Sequence, residues 1–384
     1  MPTDEATLAV ELGFLPEAQA IADSDHPGLL RAGLRAGAPY GGRAVELHTC
    51  DAVDGLRSDA IRPDLREAGF DVADLAGADA LQEVFARVRA AGHLDDASAA
   101  HIRAELAGAT FRLSSGPSVT VLHAADEGFI LRQGGPKGTK VGGSVEDGDH
   151  GVATSVHADQ DVFGTPLRQL MDGRAPELFN FDAPDGHNHG AGLWLVNLWI
   201  PLQQITQPLT LCDKRSLDRR RHQLRYGLPT SSFLDRDDDM VINDIWTFLH
   251  DPGQRWYLRS EMDHRQAYVF DTLSTPHGAC TLPGEDVAEQ CCRSLVAAEA
   301  AVADGDVDGL AEALATVGPV DVPEMAPPAL RAAVSAMAVL LREAGDDPAG
   351  VIADGEAWSE RSRAARRRVV RMSLELRLVV SLDE

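Results

Sequence analysis

The chain has 384 residues, 44% of them hydrophobic and 25% charged, which is the balance of a water-soluble globular protein able to bury one large core or two smaller ones. Lys and Arg number 35 against 60 Asp and Glu, a formal charge of −25, and such an excess repels phosphate backbones and anionic lipid. Nucleic-acid and membrane partners are therefore not expected, and the acidity reads as solubilising surface charge.

Residues 1–104 read as a mostly helical lead-in. Its opening Met1-Pro2-Thr3-Asp4-Glu5 is acidic where a secretory signal would be basic. The five cysteines, Cys50, Cys212, Cys280, Cys291 and Cys292, show no C-x-x-C pairing and fit reduced thiols in a cytoplasm. Pro63 to Val72 predicts a short helix, a glycine stop and the start of a strand. Leu81, Val84, Phe85 and Val88 recur at helical spacing, with Asp79 as the expected N-cap.

From residue 105 the pattern turns to strands. Ala109 to Leu113 and Ser118 to His123 flank a Ser-Ser-Gly-Pro turn, and Phe129 to Arg132 follows. Gln133 to His150, rich in Gly, Lys and Asp, is either a loop over a pocket mouth or a plain surface loop. Leu193 to Leu202, Pro208 to Asp213, Trp256 to Arg259 and Gln266 to Asp271 continue the rhythm of short strands. A mainly β core of double-stranded β-helix or jelly-roll type over residues 105–284 is the expected fold class, with flanking helices.

Within that core, His157 and Asp159 in Ser155-Val156-His157-Ala158-Asp159-Gln160 project to one face of an extended segment and can reach one ion together. His277, after the strand-like Ala267 to Phe270, is the best candidate for a third ligand. Two histidines and one carboxylate with open positions opposite suit a non-haem iron(II) oxygenase. The same three residues could instead hold zinc or manganese in a hydrolase, and a non-catalytic barrel binding a small molecule is the remaining alternative. His187 and His189, in a Gly- and Asp-rich stretch, form a weaker metal pair that more simply reads as a polar loop. His264 reads as a solvated turn residue. Arg168 suits substrate contact or a helix cap, and Trp194, Trp199 and Trp256 suit core or pocket wall.

The succession VHADQ, NLWIPLQQITQPLTLCDKRS and RWYLRSEMDHRQAYVFDTLSTPHGA resembles the family that includes a fungal gibberellin desaturase, a cephamycin methoxylation component and an aspergillic acid pathway hydroxylase. The resemblance covers roughly residues 105 to 280 and a tail segment. It implies iron(II) held by His157, Asp159 and His277, with 2-oxoglutarate and dioxygen as cosubstrates and a small specialised metabolite as substrate. The retained Asp159 implies hydroxylation, desaturation or ring formation rather than halogenation.

Enzymes of this family anchor the far carboxylate of 2-oxoglutarate with an arginine, often followed two residues on by an alcohol. Arg371-Met372-Ser373 supplies that pair on one strand face, and Arg293, in an Ala-rich helical stretch, is the fallback. Asn197 on the long apolar strand is either a hydrogen-bond donor to 2-oxoglutarate or a satisfied core amide. Residues 285–366 then become a helical insertion, a lid or a homodimer contact, before a final core strand in residues 367–384. The basic run Arg361 to Arg368 reads as an exposed helix end that offsets neighbouring acids.

Overall fold

The structure, a computed structural model, describes residues 7–24, 27–33, 45–125, 129–136, 153, 155–159, 193–229, 242–315, 318 and 320–383. Its strands are β1 (Thr7–Phe14), β2 (Ala20–Ala22), β3 (Leu30–Ala32), β4 (Glu46–Asp54), β5 (Phe70–Asp74), β6 (Thr110–Arg112), β7 (Ser118–Ala124), β8 (Ile130–Gly134) and β9 (His157–Ala158). They continue as β10 (Leu193–Gln203), β11 (Leu209–Cys212), β12 (Gln223–Pro229), β13 (Ile242–Phe248), β14 (Trp256–Leu258), β15 (Gln266–Asp271), β16 (His277–Ala279) and β17 (Arg371–Asp383). The helices are α1 (Asp79–Ala91), α2 (Asp96–Leu106), α3 (Arg219–His222), α4 (Glu285–Asp304), α5 (Val307–Ala315), α6 (Pro328–Asp346), α7 (Pro348–Ala353) and α8 (Gly355–Arg367).

Two sheets form the core. One has the order β1-β4-β14-β11-β16-β9-β13-β12-β3-β2, and the other β5-β15-β10-β17-β7-β6, with β8 pairing the first half of β17. This is the expected mainly β, jelly-roll architecture with helices outside it.

Side-chain alternation decides what lies between the sheets. Along β10, Trp194, Val196, Leu198, Ile200 and Leu202 face outward and pack with Leu81, Val84, Phe85, Val88, Ile102 and Leu106 of α1 and α2. Trp199, on the opposite face of β10, packs with Tyr268 and Phe270 of β15 and with Leu211 and Tyr257 of the other sheet. The larger sheet follows the same rule. Val156, Ala158, Cys212, Trp246, Phe248 and Trp256 turn outward beneath the helices that follow β16, including Ala288, Leu295, Val334, Met337 and Trp358. Burying that many large apolar side chains at about 25 cal/mol per Å² is the main reason those helices stay on the sheet.

The lead-in differs from expectation. Among the described residues α1 and α2 are the α-helices there, while β1 and β4 pair antiparallel along eight positions and β4 joins β14 in parallel. Thr-Leu-Ala-Val-Glu-Leu-Gly-Phe buries Leu8, Val10, Leu12 and Phe14 and leaves Ala9 and Glu11 exposed, a two-residue period that only a strand satisfies. The expected short helix before Gly69 is a single turn closed by the Ala68 N–H donating to the Asp64 carbonyl. Asp79 lies in the first turn of α1 rather than at its cap, which is Ala78. The five cysteines are all buried and unpaired. No helix among the described residues is long and apolar enough to cross a membrane.

Candidate metal centre

The three sequence-predicted ligands come together between the sheets. His157 opens β9, His277 opens β16, and the two pair directly in antiparallel register. Their rings lie 4.4 Å apart between centroids, and Phe270 of the opposite sheet closes on His277 at 4.6 Å. Asp159, just past β9, puts one carboxylate oxygen 3.5 Å from Nε2 of His157 and the other 3.7 Å from Nε2 of His277. One ligand atom from each of the three lies within 4.8 Å of the others, so a single cation could sit among them.

Both imidazoles are held in the tautomer that a metal requires. Nδ1–H of His157 donates to the Ser155 carbonyl at 2.8 Å, and Nδ1–H of His277 donates to the Thr275 carbonyl at 3.0 Å. Each Nε2 lone pair is thereby left toward Asp159. Burial, reinforced by His157, pushes the pKa of His277 down to about 4 and keeps its ring neutral. Burial alone would raise the Asp159 carboxyl, but its neighbours His277, His157 and Arg377 outweigh it and hold the group well below the usual carboxylate range.

The turn that delivers His277 is built by hydrogen bonds. Asp271 accepts from the Leu273 N–H at 3.0 Å and from the Ser274 hydroxyl at 2.6 Å, while the Thr275 hydroxyl donates to the Gly69 carbonyl at 2.8 Å. Gly69 has φ +89°, and a Cβ there would meet the Thr275 hydroxyl at 2.6 Å, so both its backbone and its neighbour require glycine.

Asn197 sits on the inward face of β10 with its amide donating to the Asp159 carboxylate. Arg377, opposite Asn197 on β17, approaches the same carboxylate at 3.9 Å. Arg377 belongs to no motif of its own, although Arg371, Ser373, Glu375 and Arg377 alternate along one strand and so share its inner face. Glu375 accepts from Arg132 of β8 at 2.8 Å. Burial would raise the Glu375 carboxyl, yet Arg132 and Arg371 hold it below its ordinary value.

Arg371 is 1% exposed, which sets it apart from any surface arginine. Its Nε and Nη2 donate to the Ser373 hydroxyl at 3.3 and 3.0 Å, and its Nη1 donates to the Gln207 carbonyl at 3.0 Å. The guanidinium lies 5.0 Å over the Trp199 ring, with the Glu375 carboxylate 3.8 Å away. Burial lowers its pKa to about 10, so it stays charged at neutral pH. Trp199 and Asn197 are two residues apart on one face of β10, a spacing of about 7 Å along a strand. The guanidinium over Trp199 and the carboxylate beside Asn197 therefore stand on the same inner face of β10.

Arg293 is placed elsewhere: its side chain is 66% exposed on α4, paired with Glu289 at 3.2 Å one helical turn away. Of the three tryptophans, Trp194 and Trp256 lie in the outer layers and Trp199 alone faces the site. His264 is not a free turn residue; its ring contacts the Gln82 amide oxygen at 2.5 Å, and burial lowers its pKa. His187, His189, Arg168 and most of the 133–150 stretch lie outside the described residues.

No protein-family model and no curated protein matches this chain. Among solved structures, the iron and alpha-ketoglutarate-dependent endoperoxidase NvfI is similar over 99% of this chain and all of its own length, at 13% identity and a TM-score of 0.47. Its W199F variant is similar over the whole of both chains, at 14% identity and a TM-score of 0.48.

Proposed function

We propose that this chain is an iron(II)- and 2-oxoglutarate-dependent oxygenase that acts on an unactivated C–H bond of a small molecule by hydroxylation, desaturation or ring formation. The observation that carries the reading is the pairing of two features between the sheets. A His-Asp-His cluster brings one ligand atom from each residue within 4.8 Å of the others, and a buried, charged guanidinium stands on the same strand face as Arg377, which meets that cluster. Glu375, the carboxylate 3.8 Å from that guanidinium, is shared with Arg132, so a ligand carboxylate would supply charge that the pair of arginines lacks.

The donor set fits iron(II): two neutral imidazoles and one carboxylate on one side leave the opposite positions open. In this reading His157 and His277 bind through Nε2 and Asp159 through one carboxylate oxygen, while Asn197 and Arg377 fix the orientation of that carboxylate. Arg371 grips the far carboxylate of 2-oxoglutarate with a planar fork of N–H donors, and the Ser373 hydroxyl, already oriented by the same arginine, adds a further contact. Trp199 forms the floor beneath the guanidinium, and Phe270 excludes water from one side of His277. The chemistry supplied by bound iron(II) and 2-oxoglutarate is oxygen activation coupled to oxidative decarboxylation, with succinate and carbon dioxide as co-products.

The test is anaerobic addition of iron(II) and then 2-oxoglutarate to the purified chain. A weak visible charge-transfer band should appear, and admission of oxygen should yield succinate even without the natural substrate. His157→Ala and His277→Ala should abolish both. Metal-dependent ester or amide hydrolysis with no oxygen uptake would instead assign the site to a hydrolase.

A further inference from the structure

Arg371 is gripped from behind as well as from the strand it stands on. Its Nη1 donates to the carbonyl of Gln207, which lies in the connection between β10 and β11. Gln207 has φ +47°, the one non-glycine residue with positive φ among the described residues, in a region that a residue with a side chain seldom occupies. Something must hold the peptide there. Its N–H donates at 2.6 Å to Oε1 of Glu285, the first residue of α4, and the same oxygen accepts the Leu282 N–H at 3.1 Å. Glu285 is fully buried. The Gln207 peptide is therefore clamped, with its N–H on a buried carboxyl and its C=O on the guanidinium.

Oε1 of Glu285 takes both hydrogen bonds, while Oε2 is buried without a partner among the described residues. Burial raises the pKa of the carboxyl to about 8, against the two N–H donors and Arg371, so the group is mainly protonated at neutral pH. It is thus not a counter-ion that neutralises Arg371; it is an acceptor that fixes a peptide. The geometry points to Glu285 as a positioning residue for the cosubstrate: through the Gln207 peptide it holds Arg371 in the one orientation that meets the far carboxylate of 2-oxoglutarate.

This inference rests on the oxygenase reading above, and its test separates the two. The dissociation constant of 2-oxoglutarate is measured on the iron(II)-loaded, anaerobic protein from the charge-transfer band, alongside KM for 2-oxoglutarate and kcat. Glu285→Gln keeps an acceptor oxygen in place and should bind within twofold of wild type. Glu285→Leu removes the acceptor and fills the space; it should raise both the dissociation constant and KM for 2-oxoglutarate at least tenfold, with kcat at saturation within threefold and iron affinity unchanged. Where the leucine variant does not fold, Glu285→Asp carries the same test, since it keeps the carboxyl but withdraws it by one methylene.

Melting curves on each variant separate positioning from bulk stability. A folded leucine or aspartate variant that melts lower but binds 2-oxoglutarate as wild type overturns the inference, as does a glutamine variant that loses affinity to the same extent. A wild-type protein that binds no 2-oxoglutarate overturns the parent reading instead.

Discussion

Replacing Arg371 with methionine separates the two jobs the guanidinium could have, holding the fold and holding a ligand. The substitution strands the Ser373 hydroxyl and the Gln207 carbonyl, both of which accept from Arg371, and a buried polar group left without its partner costs about 1–3 kcal/mol. Against that stands the cost of keeping a full charge 1% exposed. The fall of its pKa to about 10 corresponds to roughly 3 kcal/mol, which the variant recovers. The terms nearly cancel, so the melting temperature should move by no more than about 5 °C. Binding has no such compensation. Losing the buried, forked contact to a carboxylate costs about 3–5 kcal/mol, which raises the dissociation constant of 2-oxoglutarate from roughly 10²-fold to several thousandfold. Anaerobic titration of the iron(II)-loaded variant reads this directly, and Arg293→Met, altered on the exposed face of α4, should titrate as wild type. A folded Arg371→Met protein that binds 2-oxoglutarate within threefold of wild type refutes the assignment of the anchor.

Iron(II) at 100 times its dissociation constant should stabilise the wild type by about 2.7 kcal/mol, and the same addition should leave the melting curves of His157→Ala and His277→Ala where they were. Asn197→Leu removes the amide that donates to Asp159 and should weaken iron binding about 10- to 100-fold, as measured by competition with a chelating dye; an unchanged affinity would mean that Arg377 alone orients the carboxylate. Glu285 has its pKa raised from 4.5 to about 8 by burial, so between those values the folded chain keeps a proton that the unfolded chain releases, and stability falls as pH rises. Glu285→Gln removes this contribution. Its stability relative to wild type should climb by up to about 1.4 kcal/mol per pH unit from about pH 4.5 and level off above about pH 8, and urea unfolding at pH 5, 6.5 and 8 that gives a constant difference would contradict it.

What the sequence made legible was local in the chain. His157 and Asp159 are two residues apart, so their shared face follows from strand geometry alone, and Arg371 with Ser373 follows from the same rule. The strand β10 announced itself through a long apolar run, interrupted by Asn197, with Pro201 at a register shift near its end. What stayed hidden depends on pairings between distant segments. β1 is held by β4 some forty residues later and β4 by β14, so composition suggested helix where long-range pairing dictates strand. Asn197 had two readings in the sequence because its partner Asp159 stands 38 positions away. Arg132, Glu375 and Arg377 gave no motif at all; they matter because β8 and β10 both lie against β17. His264 looked solvated because Gln82, which its ring meets, belongs to a helix far earlier in the chain.

The long separation between His277 and Arg371 becomes intelligible once the ends of the intervening helices are followed. His277 belongs to the larger sheet and Arg371 to the smaller one, so the chain has to cross from one to the other whatever its length, and the entropy of closing such a connection grows only slowly with added residues. Both ends of the crossing are tied to the segment between β10 and β11. Glu285 receives the Gln207 N–H at the start, and at the finish the Thr206 hydroxyl donates to the Val369 carbonyl at 2.7 Å and the Gln203 amide to the Val370 carbonyl at 2.7 Å. The approach to Arg371 is therefore fixed by three residues, Gln203 at the end of β10 and Thr206 and Gln207 just after it, rather than by the helices that precede it. Those helices have a separate task, covering Trp246, Phe248 and Trp256 on the outer face of the sheet whose inner face carries His157 and His277. An insertion of this size can thus sit between His277 and Arg371 without displacing either one.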